Sequence, residues 1–212
     1  MTTPVGSKRF GSWLAGLAVV ALFFAVAVPM AHRRADRPQA GAAGQDYLLH
    51  DAHFHLTNYI QEGTDIHDFL RIMGTKVGRV CIFGLPLQQM WDYGNTGNYA
   101  PTYYLQSDAP LYYYSFTDAF IAMAYKSLTP AEQARFDPMI TGFNPADMYA
   151  ADHIRRVLTT FPGVFSGIGE FSIHKEFVSA KIAGKTASLL DPALDRILEF
   201  CGEAGLLVLI HN

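Results

Sequence analysis

Two histidines stand two residues apart in "LLHDAHFHL", residues 48–56, at the end of an apolar run. Along an extended strand, residues i and i+2 project to the same face. His53 and His55 therefore point together, and Phe54 turns the other way. Two imidazoles on one side of a strand end can both reach one divalent metal, at roughly 2.0–2.1 Å. Two further apolar runs finish in a residue of the same kind: "GIGE" in Glu170 and "LLVLIH" in His211. Imidazole and carboxylate ligands suit zinc best, with manganese, iron or nickel as alternatives. A metal so held activates a bound water and polarises a carbonyl or phosphoryl oxygen. Asp51 shares the pleat phase of His53. It is either an acceptor that orients an imidazole or a plain strand-end residue. His50 lies an odd number of residues from His53 and faces elsewhere. His67 and His153 fall within helical patterns, where surface histidines are common.

The elements that must place these groups alternate along the chain. The first expected strand is 47–53. Thr64 is positioned to cap a helix whose apolar residues Ile66, Phe69, Leu70 and Met73 recur at helical spacing. "RVCIF", 79–83, is β-branched and aromatic, as a buried strand should be. "MITGF", 139–143, reads as the third strand, and Asn144-Pro145 as the cap of the next helix. "VFSGIGEF", 164–171, is the fourth strand. Asp191-Pro192 opens a helix with Leu194, Ile197, Leu198 and Cys201 on one side, and Gly205 closes it. "LLVLI", 206–210, is the fifth strand. Strand and helix in alternation imply a parallel α/β fold with right-handed crossovers, either doubly wound or a barrel. In both, sites form at the carboxyl ends of the strands. No GxGxxG follows the first strand, which weakens a dinucleotide-binding fold.

The net charge over 212 residues is a mild −3, and only Arg33, Arg34 and Arg37 crowd together, which argues against a nucleic-acid groove. Cys81 and Cys201 have no CxxC partner and read as core residues. Lys8 and Arg9 precede an uncharged run, 13–30, so residues 1–31 read as a signal peptide or membrane anchor. Residues 32–45 follow as a linker. The protein is then exported, or tethered to a membrane if the segment stays uncut. About 55 residues separate the second and third strands, and 86–114 is rich in tyrosine, glycine and asparagine. Long connections of this kind are commonly lids or binding loops. Trp91 and Tyr93 are its candidate contacts with a small-molecule substrate, expected to be apolar or ring-bearing. "SFTDAFIAMAYKSL" then reads as a helix, and Thr129–Glu132 as a capping box. His174 and Lys175, just after Glu170, could meet an anionic substrate group.

"DAHFHL" resembles the first-strand signature of the amidohydrolase superfamily of metal-dependent hydrolases. "GIGEF" is similar to the fourth-strand glutamate of its TatD-like and related branches, and "LIHN" to its fifth-strand histidine. The resemblance spans 46–212 and implies a (β/α)8 barrel of the TIM type with one or two divalent metals at its mouth. It implies that His53 and His55 ligate the first metal, that Glu170 either ligates it too or bridges to a second, and that His211 binds the second. It implies hydrolysis of an amide, ester, lactone or phosphoester, or a related decarboxylation. The family pattern also needs a sixth-strand histidine and an eighth-strand aspartate. Neither is present, so no catalytic proton shuttle is expected within these residues, and about five β/α units of a longer barrel are represented. The alternative is a non-catalytic binding protein or degenerate fragment of the same fold. A nuclease is disfavoured by charge and by export.

Overall fold

A computed structural model describes residues 46–212. The expected signal or anchor, 1–31, and the linker, 32–45, lie outside the described residues. Among the described residues no helix is long and apolar enough to cross a membrane. The chain forms β1 (Leu49–His55), α1 (Ile66–Met73), β2 (Val77–Phe83), β3 (Leu87–Gln89), α2 (Tyr93–Thr96), β4 (Leu111–Tyr113) and α3 (Phe116–Lys126). It continues through α4 (Pro130–Gln133), β5 (Phe136–Ile140), α5 (Ala150–Thr160), β6 (Gly167–Ser172), α6 (Glu176–Ser179), α7 (Pro192–Ala204) and β7 (Leu207–His211). Five strands pair in parallel in the order β1-β2-β5-β6-β7 and form a curled half-barrel sheet.

The helices cover one side of this sheet. Val80, Ile82, Phe136, Ile140 and Ile168 pack there against Ile66, Phe69, Met73, Ile121, Ile154 and Ile197. Phe54 joins them by stacking on Phe69, with ring centroids 3.9 Å apart. The alternate residues of β2 and β5 look the other way. Arg79 of β2 pairs with Asp137 of β5 on that face, and Phe83 backs the rings of His53 and His55.

Several boundaries differ from the sequence reading. The third strand starts three residues earlier than expected, at Phe136. Pro138 disguises it, because a proline normally argues against a central strand. Here the Pro138 carbonyl still accepts from the Ser166 amide at 2.8 Å. Asp65, not Thr64, caps α1, accepting from the His67 and Asp68 amides. Asn144 closes a turn onto the Ala146 amide instead of capping a helix, and α5 begins at Ala150. The capping box at Thr129 and Glu132 is present. Gly205 ends α7 in the left-handed conformation.

The long connection is not a structureless loop. Its ends form a small antiparallel pair, β3 with β4. Tyr59, Leu85, Leu87, Leu111, Val178 and Ile182 build a second apolar cluster under it, with Tyr104 and Tyr113 packed alongside. The Leu111 amide donates to the Lys181 carbonyl, and the Ala183 amide to the Leu111 carbonyl. The Lys181 ammonium donates to the carbonyls of Tyr104 and Ser107. The result is a cap with its own core, joined to the segment that follows β6.

Separate cores predict separable effects. Ile154→Ala removes a fully buried side chain of the main core and should cost about 2–5 kcal/mol, read as a lower urea midpoint. Leu111→Ala should instead speed hydrogen exchange at the Leu111 and Ala183 amides more than at the Ile82 amide. Equal acceleration at all three would show one cooperative unit.

Candidate metal centre

The period-two arrangement of β1 places both imidazoles on the concave side. The His53 and His55 rings meet edge to face, with centroids 5.1 Å apart. Glu170 reaches them from β6 and is only 5% exposed. Its Oε2 accepts from His53 Nε2 at 3.0 Å and from His55 Nε2 at 2.9 Å. Its other oxygen, Oε1, accepts from His211 Nδ1. Three of the four residues named from sequence, His53, His55 and His211, thus converge on the carboxylate of the fourth, Glu170. His53, His55 and Glu170 bring one ligand atom each within 4.8 Å of one another. His211 stands on the opposite side of the carboxylate.

Local backbone chemistry sets these positions. Gly169 precedes the glutamate with φ of +105°, a conformation glycine adopts freely, and a Cβ there would collide with the Leu209 carbonyl. His211 is held in register with Ser172 on the neighbouring strand, and its carbonyl accepts from the Ile173 amide at 2.9 Å. Burial alone would raise the pKa of Glu170. The hydrogen bonds from His55, His53 and His211 outweigh it and hold the carboxyl well below the ordinary range. Glu170 is therefore a carboxylate at neutral pH, ready to accept a proton donor or a cation.

The donor set fits a divalent ion. Two imidazole nitrogens and a carboxylate oxygen already crowd one point, and the chemistry suits zinc or its neighbours. One detail departs from a well-braced site. His55 Nδ1 is buried without a hydrogen-bond partner, whereas a ligand histidine usually anchors its second nitrogen. Asp51 does not supply that anchor. Its Oδ1 accepts from the His53 backbone amide at 2.9 Å, so it braces the strand rather than a ring.

The residues expected around substrate separate. Lys175 lines a cleft beside the centre, shared with His55, Glu170, Tyr59, Ser172, Leu85, Pro86, Leu87 and Val178. His174 points into a different cavity, bounded by Ile173, Ser179, Thr186 and Asn212 among others. Trp91 donates its indole N–H to the Gly97 carbonyl at 3.2 Å, and Tyr93 is 75% exposed on α2. Neither of these two lines the cleft beside His55.

Three residues of the site carried no sequence signal. Tyr59 is buried against Tyr103 and Tyr104 and borders the cleft. Burial, then Tyr104, Tyr103 and Glu170, raise its hydroxyl pKa far above the usual value. Asp118 is 1% exposed, and its Oδ1 accepts from the amides of Thr141 and Gly142 at 2.8 and 3.0 Å. Thr141 Oγ1 in turn donates to the Glu170 carbonyl at 2.6 Å. An acid in the first turn of a helix reads as an ordinary partner of the helix dipole. Only the fold turns Asp118 inward to tie the end of β5 to the glutamate. His153 Nε2 approaches it at 3.6 Å.

Compared with family models, curated proteins and solved structures, the chain matches none.

Asp118→Ala leaves two buried amides without an acceptor, at about 1–3 kcal/mol each. A urea midpoint should fall accordingly. Asp118→Asn keeps an acceptor oxygen and should recover most of the loss. If both variants unfold at the wild-type midpoint, the tether from α3 to β5 contributes nothing.

Proposed function

We propose that this chain is a metal-dependent hydrolase acting on an amide, ester, lactone or phosphoester. The observation that supports it is the convergence of His53, His55 and Glu170, with His211 beyond, at the carboxyl ends of β1, β6 and β7. The fold that goes with this reading is a (β/α)8 barrel, of which the described residues would supply five parallel strands, consistent with the resemblance of "DAHFHL", "GIGEF" and "LIHN" to the amidohydrolase superfamily. Export or membrane tethering through residues 1–31 belongs to the same proposal.

In this reading His53, His55 and Glu170 would hold one divalent ion, zinc by the chemistry of the donors, and Glu170 with His211 would hold a second. When bound, such an ion lowers the pKa of a water toward 7 and polarises the oxygen of the bond to be cleaved. The residues around it do the rest. Phe83 lies against both imidazoles. Asp118 and Thr141 hold the backbone that carries Glu170. Tyr59, kept protonated by its burial, lines the cleft.

A binding role without catalysis has one observation in its favour. Among the described residues the cluster holds a single carboxylate, Glu170, and a carboxylate already serving as ligand is a poor proton shuttle.

Zinc uptake decides the matter. The full chain should bind one or two equivalents, measured by calorimetry and by elemental analysis after dialysis. The double variant His53→Ala with His55→Ala should lose at least one. His211→Ala should weaken only the second. A wild-type chain that retains no zinc, manganese, iron or nickel would overturn the proposal.

A further inference from the structure

The ribbon of β3 and β4 has two unlike sides. Leu87, Gln89 and Leu111 turn into the cap and are buried. Tyr112 lies opposite Gln88 in the register and turns outward. Tyr114 and Met90, two residues further along each strand, share that side. The Tyr112 and Tyr114 rings are 6.4 Å apart, and Tyr114 lies 6.3 Å from Phe116 at the start of α3. The row goes on along the helix. Phe116, Phe120 and Met123 stand at i, i+4 and i+7, one face of α3, and all three are exposed, Phe116 and Met123 at 63%. The other face of α3 is buried through Thr117, Asp118, Ile121 and Ala122. This exposure does not come from an open sheet edge. α3 packs on β2 and β5, which are inner strands, so a further strand could join only at β1 or β7, away from it.

We infer that this face is the contact between two copies of the chain, related by a two-fold axis near Phe120. A whole side chain of this size has about 200 Å² of surface, so the exposed parts of Met90, Tyr112, Phe116, Phe120 and Met123 make about 500 Å² of apolar face. That is toward the upper end for a single molecule, about 600 Å². Two such faces together bury about 1,000 Å², the least that a specific interface needs. A two-fold contact is self-complementary. With the two α3 helices antiparallel and Phe120 at the axis, Phe116 of each copy meets Met123 of the other, a ring against a thioether. A bilayer surface fits less well. Residues 86–125 contain no lysine or arginine, while Asp92 and Asp108 are acidic and exposed or nearly so, so anionic headgroups would be repelled rather than drawn in. The inference does not depend on the hydrolase reading.

Sedimentation of the full chain over a range of concentrations tests this. Wild type should pass from monomer to dimer in the micromolar range. Phe116→Asp with Phe120→Asp sets like charges across the contact and should weaken the dimer about 10-fold or more. Both chains carry residues 1–45, so the difference between them reports this face. Both substituted side chains are exposed, and circular dichroism and the urea midpoint should match wild type. A second measurement fixes the axis. On mild oxidation Phe120→Cys should form a disulfide-linked dimer about 10-fold faster than Ile72→Cys, which sits at an exposed apolar residue of α1. A chain that stays monomeric at every concentration overturns the proposal. So does a dimer as tight in the double variant as in wild type, or equal oxidation of the two cysteine variants. Tighter binding of wild type than of the double variant to phosphatidylcholine vesicles, with no dimer in solution, assigns the face to a bilayer and overturns it too.

Discussion

A carboxylate buried on the concave side of a parallel sheet must be compensated, and in this chain Glu170 sets that demand. An unpaired buried charge costs far more than a domain of this size can bear. Glu170 is compensated by imidazoles from β1 and β7, strands that lie on opposite sides of it in the sheet order. β1 is three places from β6. On a flat sheet three spacings would separate the strands by about 14 Å, yet the His55 and Glu170 side chains meet at 2.9 Å. Curl and inward-pointing side chains close that gap. The centre and the curvature of the sheet are therefore two aspects of one arrangement.

Behind the carboxylate, a rigid scaffold limits its freedom. The main core fills the space between sheet and helices with Ile82, Ile140, Ile154, Ile168 and Ile197, all fully buried. Asp118 carries the same rigidity to the site through backbone bonds rather than through contact with the ligands. Its helix is pinned to the end of β5, and Thr141 passes that position to the Glu170 carbonyl. Groups that hold ligands in place act more precisely from strands and helices than from loops. The cap is separate in its packing but not in its consequences, because Tyr59 and Leu87 belong to its core and also border the cleft.

The candidate ligand residues were legible because strand chemistry is local. A period of two places His53 and His55 on one face whatever else the chain does, and the Phe54–Phe69 stack shows the opposite phase buried. Glu170 and His211 stood out because each ends an apolar run. Other features hid behind equally local rules. Pro138 concealed the start of β5, and Asn144 offered a cap where the chain makes a turn. The segment 86–114 looked irregular because its pairing partners, β3 and β4, are three residues each and more than twenty apart.

What the sequence determined by itself is the set of candidate ligands, the alternation of strand and helix, and the strand ends on which those ligands sit. Each follows from spacing within a few residues, where backbone geometry leaves few choices. What only the tertiary structure decided is which groups share a site. The curl brought β1 to β6, the cap brought Tyr59 beside Lys175, and the packing of α3 turned Asp118 inward. It also sent Lys175 and His174, neighbours in the chain, to different cavities. These outcomes depend on contacts between residues tens of positions apart, and no local pattern encodes such distances.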